Sequence, residues 1–257
     1  MLLPVFLAIA ASTGSSGNSV APQTGLSAST AARCPRLSRA AGLPYRPGGG
    51  RLRGDVDGDG RLDRVSIRYA PAAPASCGIL LVVKTRSGAF ALRVAWEYKP
   101  GFGKLRARDV WTPEPYLAAI VQLDPRRSQI VIARNHGASN AFVSFVGLVD
   151  GKLALIPFRP RVYADELSLF GSAGTGVTNA RCRRGGPLIV FGISPTSYSG
   201  KRWYFSREEY RLTNGLLQQT LTSTMTVSRE RINALARQHG IDALPFTGCT
   251  IARGRRL

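Results

Sequence analysis

Hydrophobic and polar residues alternate most clearly just after residue 62. Val65, Ile67 and Tyr69 interleave with Arg64, Ser66 and Arg68, a period of two that predicts a strand with one buried face. The apolar run CGILLVVKT (77–85) predicts a second, buried strand. After a turn at Ser87-Gly88, AFALRVAW (89–96) predicts a third. The same order returns twice. VQLDPRRSQIVIAR (121–134) carries a loop at Asp124-Pro125 and an apolar strand; AFVSFVGLV (141–149) follows, then the turn Asp150-Gly151 and KLALIPF (152–158). CRRGGPLIVFGIS (182–194) again gives loop and strand, KRWYFSREEYRLT (201–213) the next strand, and the turn Asn214-Gly215 leads into LLQQTLTSTM (216–225). Ser-Gly, Asp-Gly and Asn-Gly between apolar runs are hairpin signals.

Val65, Ile130 and Ile189 therefore hold equivalent places about sixty residues apart, a spacing suited to repeated antiparallel sheets. The expected fold is mostly β: repeated antiparallel sheets in a partial or modified propeller-like arrangement, with a β-sandwich as the alternative. The repeated domain spans 51–225, in units of about 53–97, 121–158 and 182–225. The last segment, 226–257, reads differently. Ser228 can cap a short helix over RERINALARQH, with Glu230 in its first turn and Gly240 at its end. Ile232, Leu235 and Ala236 give that helix a narrow apolar face for packing on the sheets, and the tail ARGRRL is expected to fray.

The amino-terminal end changes the picture of where the protein works. Leu2 to Ala11 is an apolar run of signal-peptide length, too short to span a bilayer. Residues 1–21 are read as a signal peptide and 22–50 as a flexible leader. The cysteines agree with export. Cys34, Cys77, Cys182 and Cys249 are even in number, widely spread and free of any C-x-x-C pair, which points to two disulfides rather than zinc or redox chemistry. Three pairings are possible, and spacing does not choose among them. Cys34 and Cys249 lie where they would tie down the two ends.

The chain carries 35 Lys and Arg against 15 Asp and Glu, a net charge of +20. The cations are spread along the sequence without interleaved aromatics, so this charge is read as solubility and attraction to an anionic envelope, not as specific nucleic-acid recognition. Against that background, RGDVDGDGRLDRVSIRY (53–69) concentrates Asp55, Asp57, Asp59 and Asp63 within nine positions. Asp55, Asp57 and Asp59 stand at loop positions one, three and five. Gly60 follows at six, the Arg61 carbonyl at seven and Asp63 at nine. Calcium takes six to eight hard oxygens, and this spacing wraps a chain around such an ion. Without a cation the carboxylates raise one another's pKa values. Position twelve is Ser66 rather than a bidentate Glu, and a strand follows, so the loop is not an EF-hand.

GDVDGDGRLDRVSI resembles the calcium loop of FG-GAP/VCBS-type repeats in integrin-like β-propellers, GD-x-DGDG-x-x-D followed by a strand. The resemblance is specific over about 53–97 and weak over 121–158 and 182–225, where Asp124 is the lone acid of VQLDPRRSQ and CRRGGP has none. It implies a blade-like sheet with one structural Ca2+ site formed by Asp55, Asp57, Asp59, the carbonyl of Arg61 and Asp63. The tripeptide Arg53-Gly54-Asp55 is read as part of this loop.

Catalytic groups are sparse. The two histidines are His136 and His239. His136 precedes Ser139 in RNHGASNAF, but Gly137-Ala138-Ser139-Asn140-Ala141 lacks the last glycine of a nucleophile elbow. Glu208 and Glu209, adjacent in a strand, point to opposite faces. Asp165-Glu166 and the glycine-rich GSAGTG (171–176) and GFGK (101–104) match no phosphate or dinucleotide fingerprint. Trp96, Trp111 and Trp203, with Tyr98, Tyr116 and Tyr204, are read as packing residues before a sugar platform. The resulting expectation is a secreted or envelope-associated, non-catalytic, calcium-stabilised β-repeat protein that binds or scaffolds. Its partner would be an extracellular protein or an envelope polymer, and no transmembrane segment is expected. A secreted hydrolase of envelope polysaccharide or peptide, and a basic binder of anionic polymers, are the alternatives.

Overall fold

The computed structural model describes residues 34–46, 48–71, 73, 75–94, 115–136, 140–160, 167–169, 176–197, 201–241 and 243–254. The segment expected as a signal peptide lies outside these residues. A 3-10 helix, Leu37–Gly42, comes first. Strands β1 (Arg51–Gly54) and β2 (Asp63–Tyr69), the helical turn α1 (Ala75–Gly78), β3 (Ile79–Lys84) and β4 (Ala89–Arg93) follow. Next are β5 (Tyr116–Val121), β6 (Gln129–His136), β7 (Asn140–Val149), β8 (Lys152–Leu155), β9 (Phe158–Arg159) and β10 (Leu167–Leu169). The chain continues through β11 (Val177–Cys182), β12 (Leu188–Pro195), β13 (Arg202–Thr213), β14 (Leu216–Ser228), α2 (Arg229–His239) and β15 (Thr250–Arg253).

Each expected unit is the body of a four-stranded antiparallel meander. Sheet A runs β1-β2-β3-β4. Sheet B is built on β5-β6-β7-β8, with β10 beside β7 and β15 beside β5. Sheet C runs β11-β12-β13-β14, with β9 added in parallel to β14. The places of Val65, Ile130 and Ile189 are equivalent, since each lies in the second strand of its meander. The turns after the third strands behave as their residues require. Asp150-Gly151 and Asn214-Gly215 join directly paired strand ends with both residues at positive φ, the two-residue hairpin turn that matches strand twist.

The three sheets stack face to face. Val65, Ile67, Leu81 and Val83 of sheet A pack on Leu117, Ile120, Ile130 and Ile132 of sheet B. The other face of sheet B, with Val121, Val131, Val143 and Phe145, packs on Leu188, Val190, Tyr210 and Leu217 of sheet C. Beyond sheet C, Phe191 and Phe205 take Ile232 and Leu235 of α2. Beyond sheet A, Leu80 and Val82 take Ala40 of the 3-10 helix. Each buried aliphatic or aromatic side chain of this kind contributes about 1.5–3 kcal/mol. Helix α2 follows its expected signals. The Ser228 hydroxyl accepts from the Arg231 N–H, and Gly240 ends the helix in the left-handed region.

The described strands form a layered stack of three sheets and close no barrel or ring. Several expected bounds need correction. The leader expected over 22–50 is anchored from residue 34 onward: Cys34 is bonded to Cys77, and Tyr45 bridges Arg68. The tail is not frayed at Ala252 and Arg253, which pair with Ile120 and Ala119 in β15; residues 255–257 lie outside the described set. The units also begin earlier than expected, at β1, β5 and β11, and β14 runs to Ser228 rather than 225. The two disulfides are Cys34–Cys77 and Cys182–Cys249, closing 43 and 67 residues with Cα–Cα separations of 5.5 and 5.3 Å. Among the described residues no helix is long and apolar enough to cross a membrane.

Candidate metal centre

The acidic loop joins β1 to β2. Gly54 ends β1 opposite Asp63, which opens β2. Gly54 is needed because a Cβ there would stand 2.6 Å from Ile120 Cγ2 of β5. That close approach presses the base of the loop against sheet B. The Asp55 carbonyl accepts from the Ser128 N–H at 2.6 Å, which fixes the loop to its counterpart between β5 and β6.

Within the loop every backbone N–H from residue 56 to 61 donates to a carboxylate. Asp63 Oδ2 accepts from Val56 (2.8 Å) and Asp57 (3.3 Å). Asp55 accepts from Gly58 at Oδ1 (2.7 Å) and from Gly60 at Oδ2 (2.9 Å). Asp57 Oδ1 accepts from Asp59, and Asp59 Oδ1 from Arg61 (3.2 and 2.8 Å). Gly58 and Gly60, at φ of 84° and 81°, let the chain curl inward. Asp63 is buried, with 3% of its surface exposed. Burial raises its pKa, the Val56 and Asp57 N–H groups oppose that rise, and the charges of Asp57 and Asp55 add to it.

Carboxylate oxygens of Asp55, Asp57 and Asp63 lie within 4.8 Å of one another. Asp59 does not join them; it is exposed and holds the Arg61 N–H on the outer turn, and Arg61 is exposed beside it. The converging set is hard oxygen, the donor type calcium takes. Three of the four aspartates expected as ligands therefore meet.

The two corresponding loops carry no such set. Between β5 and β6, Asp124 accepts from the Arg126 N–H (2.7 Å), and buried Gln129 bonds the Leu123 N–H and the Arg127 carbonyl (2.7 and 2.9 Å). Between β11 and β12, the Gly185 N–H donates to the Gln122 carbonyl (2.8 Å), and Cys182 is held by Cys249. The three loops thus touch in series along one edge of the stack.

Tyr210, Glu208, Glu209 and His239 have fixed partners. Tyr210 donates to Glu208, and burial together with that carboxylate raises the phenol's pKa. Glu209 pairs with Arg207, so the adjacent glutamates do point apart. His239 stacks on Phe191 and Phe205, at 4.8 and 5.4 Å. Burial, then Arg207 and Arg181, lower its pKa. His136 pairs its backbone with Asn140, and Ser139 lies outside the described residues, as do Asp165, Glu166, Trp96, Tyr98, Trp111, GFGK and residues 171–175. Tyr116 is a core residue, while Trp203 turns toward α2 and its neighbour Tyr204 is exposed. Among the described residues, Tyr116, Trp203 and Tyr204 make no common platform.

Sequence reading missed one cluster. Arg51, Arg53, Arg64 and Arg68 were expected among scattered cations, yet with Lys84 they line one trough of about 500 Å3 on the outer face of sheet A. The signal was present: Arg at 51 and 53, and again at 64 and 68, follows the strand period of two. No family model, curated protein or solved structure matches the chain.

Proposed function

We propose that the chain is an exported, non-catalytic module that binds or scaffolds at the cell envelope. It is a stack of β-repeats of the FG-GAP/VCBS kind whose first loop is stabilised by calcium. The convergence of Asp55, Asp57 and Asp63 at the base of that loop carries the reading. Those three carboxylates would hold the ion. Bound calcium supplies the positive charge that relieves their repulsion. The surrounding N–H groups orient the carboxylates, and the Asp55–Ser128 bond transmits loop order to sheet B. The two disulfides support an oxidising, extracellular compartment. The fixed pairings of Glu208, Glu209 and His239 support a binding role over hydrolysis. Its partner would be an extracellular protein or an envelope polymer.

Calorimetric calcium titration and melting test the metal. Calcium should raise the melting temperature of the wild type and leave Asp57→Ala unmoved. Equal responses in the two proteins would remove the assignment.

A further inference from the structure

Among the described residues, only half of the outer face of sheet A is covered. The 3-10 helix lies over Leu80, Val82 and Ala91. The other half, over β1, β2 and the end of β3, is cationic and carries no other described element. Arg53, Arg64 and Lys84 are direct cross-strand partners on three neighbouring strands. Such strands lie roughly 5 Å apart, and same-face residues along one strand roughly 7 Å apart. Like charges placed directly opposite one another destabilise a sheet. Among the described residues no ion pair engages Arg51, Arg53, Arg64, Arg68 or Lys84. The nearby acidic loop spends its carboxylates on its own backbone. Arg68, only 7% exposed, meets neutral groups instead: the Leu43 carbonyl (2.6 Å), the Ser66 hydroxyl (3.2 Å) and the Tyr45 ring. Tyr45 carries the Arg51 and Arg68 guanidinium carbons 3.6 and 3.4 Å from its ring centre. These contacts steady both cations in place.

We propose that this trough binds a linear polymer of tetrahedral oxyanions, a chain of phosphate or sulfate groups crossing β1, β2 and β3 along Arg53, Arg64 and Lys84. A guanidinium meets two oxygens of such a group at once. A row of cations spanning three strands offers more charge than one small anion can neutralise. Tyr45 is already engaged by two cations, so among the described residues the trough offers no free ring on which a neutral sugar or a base would stack. The inference rests on the binding role proposed above and gives it a ligand class, but it requires no calcium.

The test is equilibrium binding of long-chain polyphosphate and of dextran sulfate, at several salt concentrations, to the full chain in EDTA. Failure of the calcium assignment therefore leaves it intact. At least one polymer should bind, with affinity falling as salt rises. The variant Arg53→Gln/Arg64→Gln/Lys84→Gln should lose about tenfold in affinity, and Arg64→Gln alone about threefold. Arg211→Gln/Arg229→Gln/Arg231→Gln removes the same charge from exposed sites elsewhere and should lose less than about twofold. Matched melting curves establish that the variants are folded. Binding of neither polymer, or equal losses in the two triple variants, overturns the site. Orthophosphate competing as well as polyphosphate at equal phosphorus concentration overturns the polymer, and polyglutamate binding as tightly overturns the tetrahedral oxyanion.

Discussion

The β1–β2 loop and the β11–β12 loop occupy the same place in their sheets, yet different chemistry closes them. The first draws six consecutive N–H groups onto four aspartates. The third has no acid between its strands and is secured by Cys182–Cys249 and by the Gly185–Gln122 bond. The middle loop uses one buried glutamine and one aspartate. What the position requires is that its polar backbone be satisfied and its ends held. Carboxylates, an amide or a covalent bond each meet that need. Only the carboxylate solution leaves a residual charge that a cation can take up.

Removing the covalent solution should have the largest effect. Cys182→Ser/Cys249→Ser frees a closed loop of 67 residues. That should cost about 4 kcal/mol, or a fall of roughly 8–16 °C in melting temperature by calorimetry. A fall no larger than that of Asp55→Ala in EDTA would make the two closures equivalent.

Next is the middle loop. Gln129 is 3% exposed and bonds two backbone groups. Gln129→Ala leaves both unmet and should cost about 3 kcal/mol in denaturant unfolding. An effect below about 1 kcal/mol would mean that water replaces the amide.

Glycines of the acidic loop separate packing from turn geometry. Gly54→Ala drives a methyl into Ile120 and should cost about 2 kcal/mol. Gly60→Ala has open space around it and bears only the left-handed backbone, about 1 kcal/mol. The reverse order in denaturation midpoints would show that the loop is not pressed against sheet B.

How much of this was legible depends on burial. β2 was readable from its period-two alternation, and β7 and β13 because each runs into an Asp-Gly or Asn-Gly turn. The β5 segment YLAAIV is buried on both faces between sheets A and C, so it lacks the alternation that marks a half-buried strand. β1 offers Leu52 as its one apolar side chain beside Arg51, Arg53 and Gly54. β15 lies far along the chain from β5, and its pairing is a tertiary choice, as was the selection of one disulfide pairing from three. In the acidic loop, spacing pointed to a cluster of aspartates, of which Asp55, Asp57 and Asp63 converge. It could not tell that Asp59 turns outward to hold the Arg61 N–H, because that depends on the path of the folded loop. The cationic trough was hidden for another reason: Arg53, Arg64 and Lys84 become neighbours only once three strands pair in register.

The smallest expected effect is the most diagnostic of the carboxylate closure. Asp63→Asn keeps an oxygen for the Val56 and Asp57 N–H groups and removes the buried charge. Burial holds the Asp63 pKa above its ordinary 3.8, so the folded state favours the protonated acid. That contribution is complete below 3.8 and drains away as pH rises through the folded-state value. In EDTA, wild type should therefore gain stability relative to Asp63→Asn as pH falls from 7 toward 4, and at pH 7 the variant should be no less stable. His239 works in the opposite direction in both proteins: its lowered pKa removes stability as pH falls below 6.5. Only the difference between the two melting curves isolates Asp63. If that difference shows wild type losing ground on acidification, Asp63 is held ionised by the loop's N–H groups even without a metal. Loop one would then be closed as fully by its own backbone as loop three is by its disulfide.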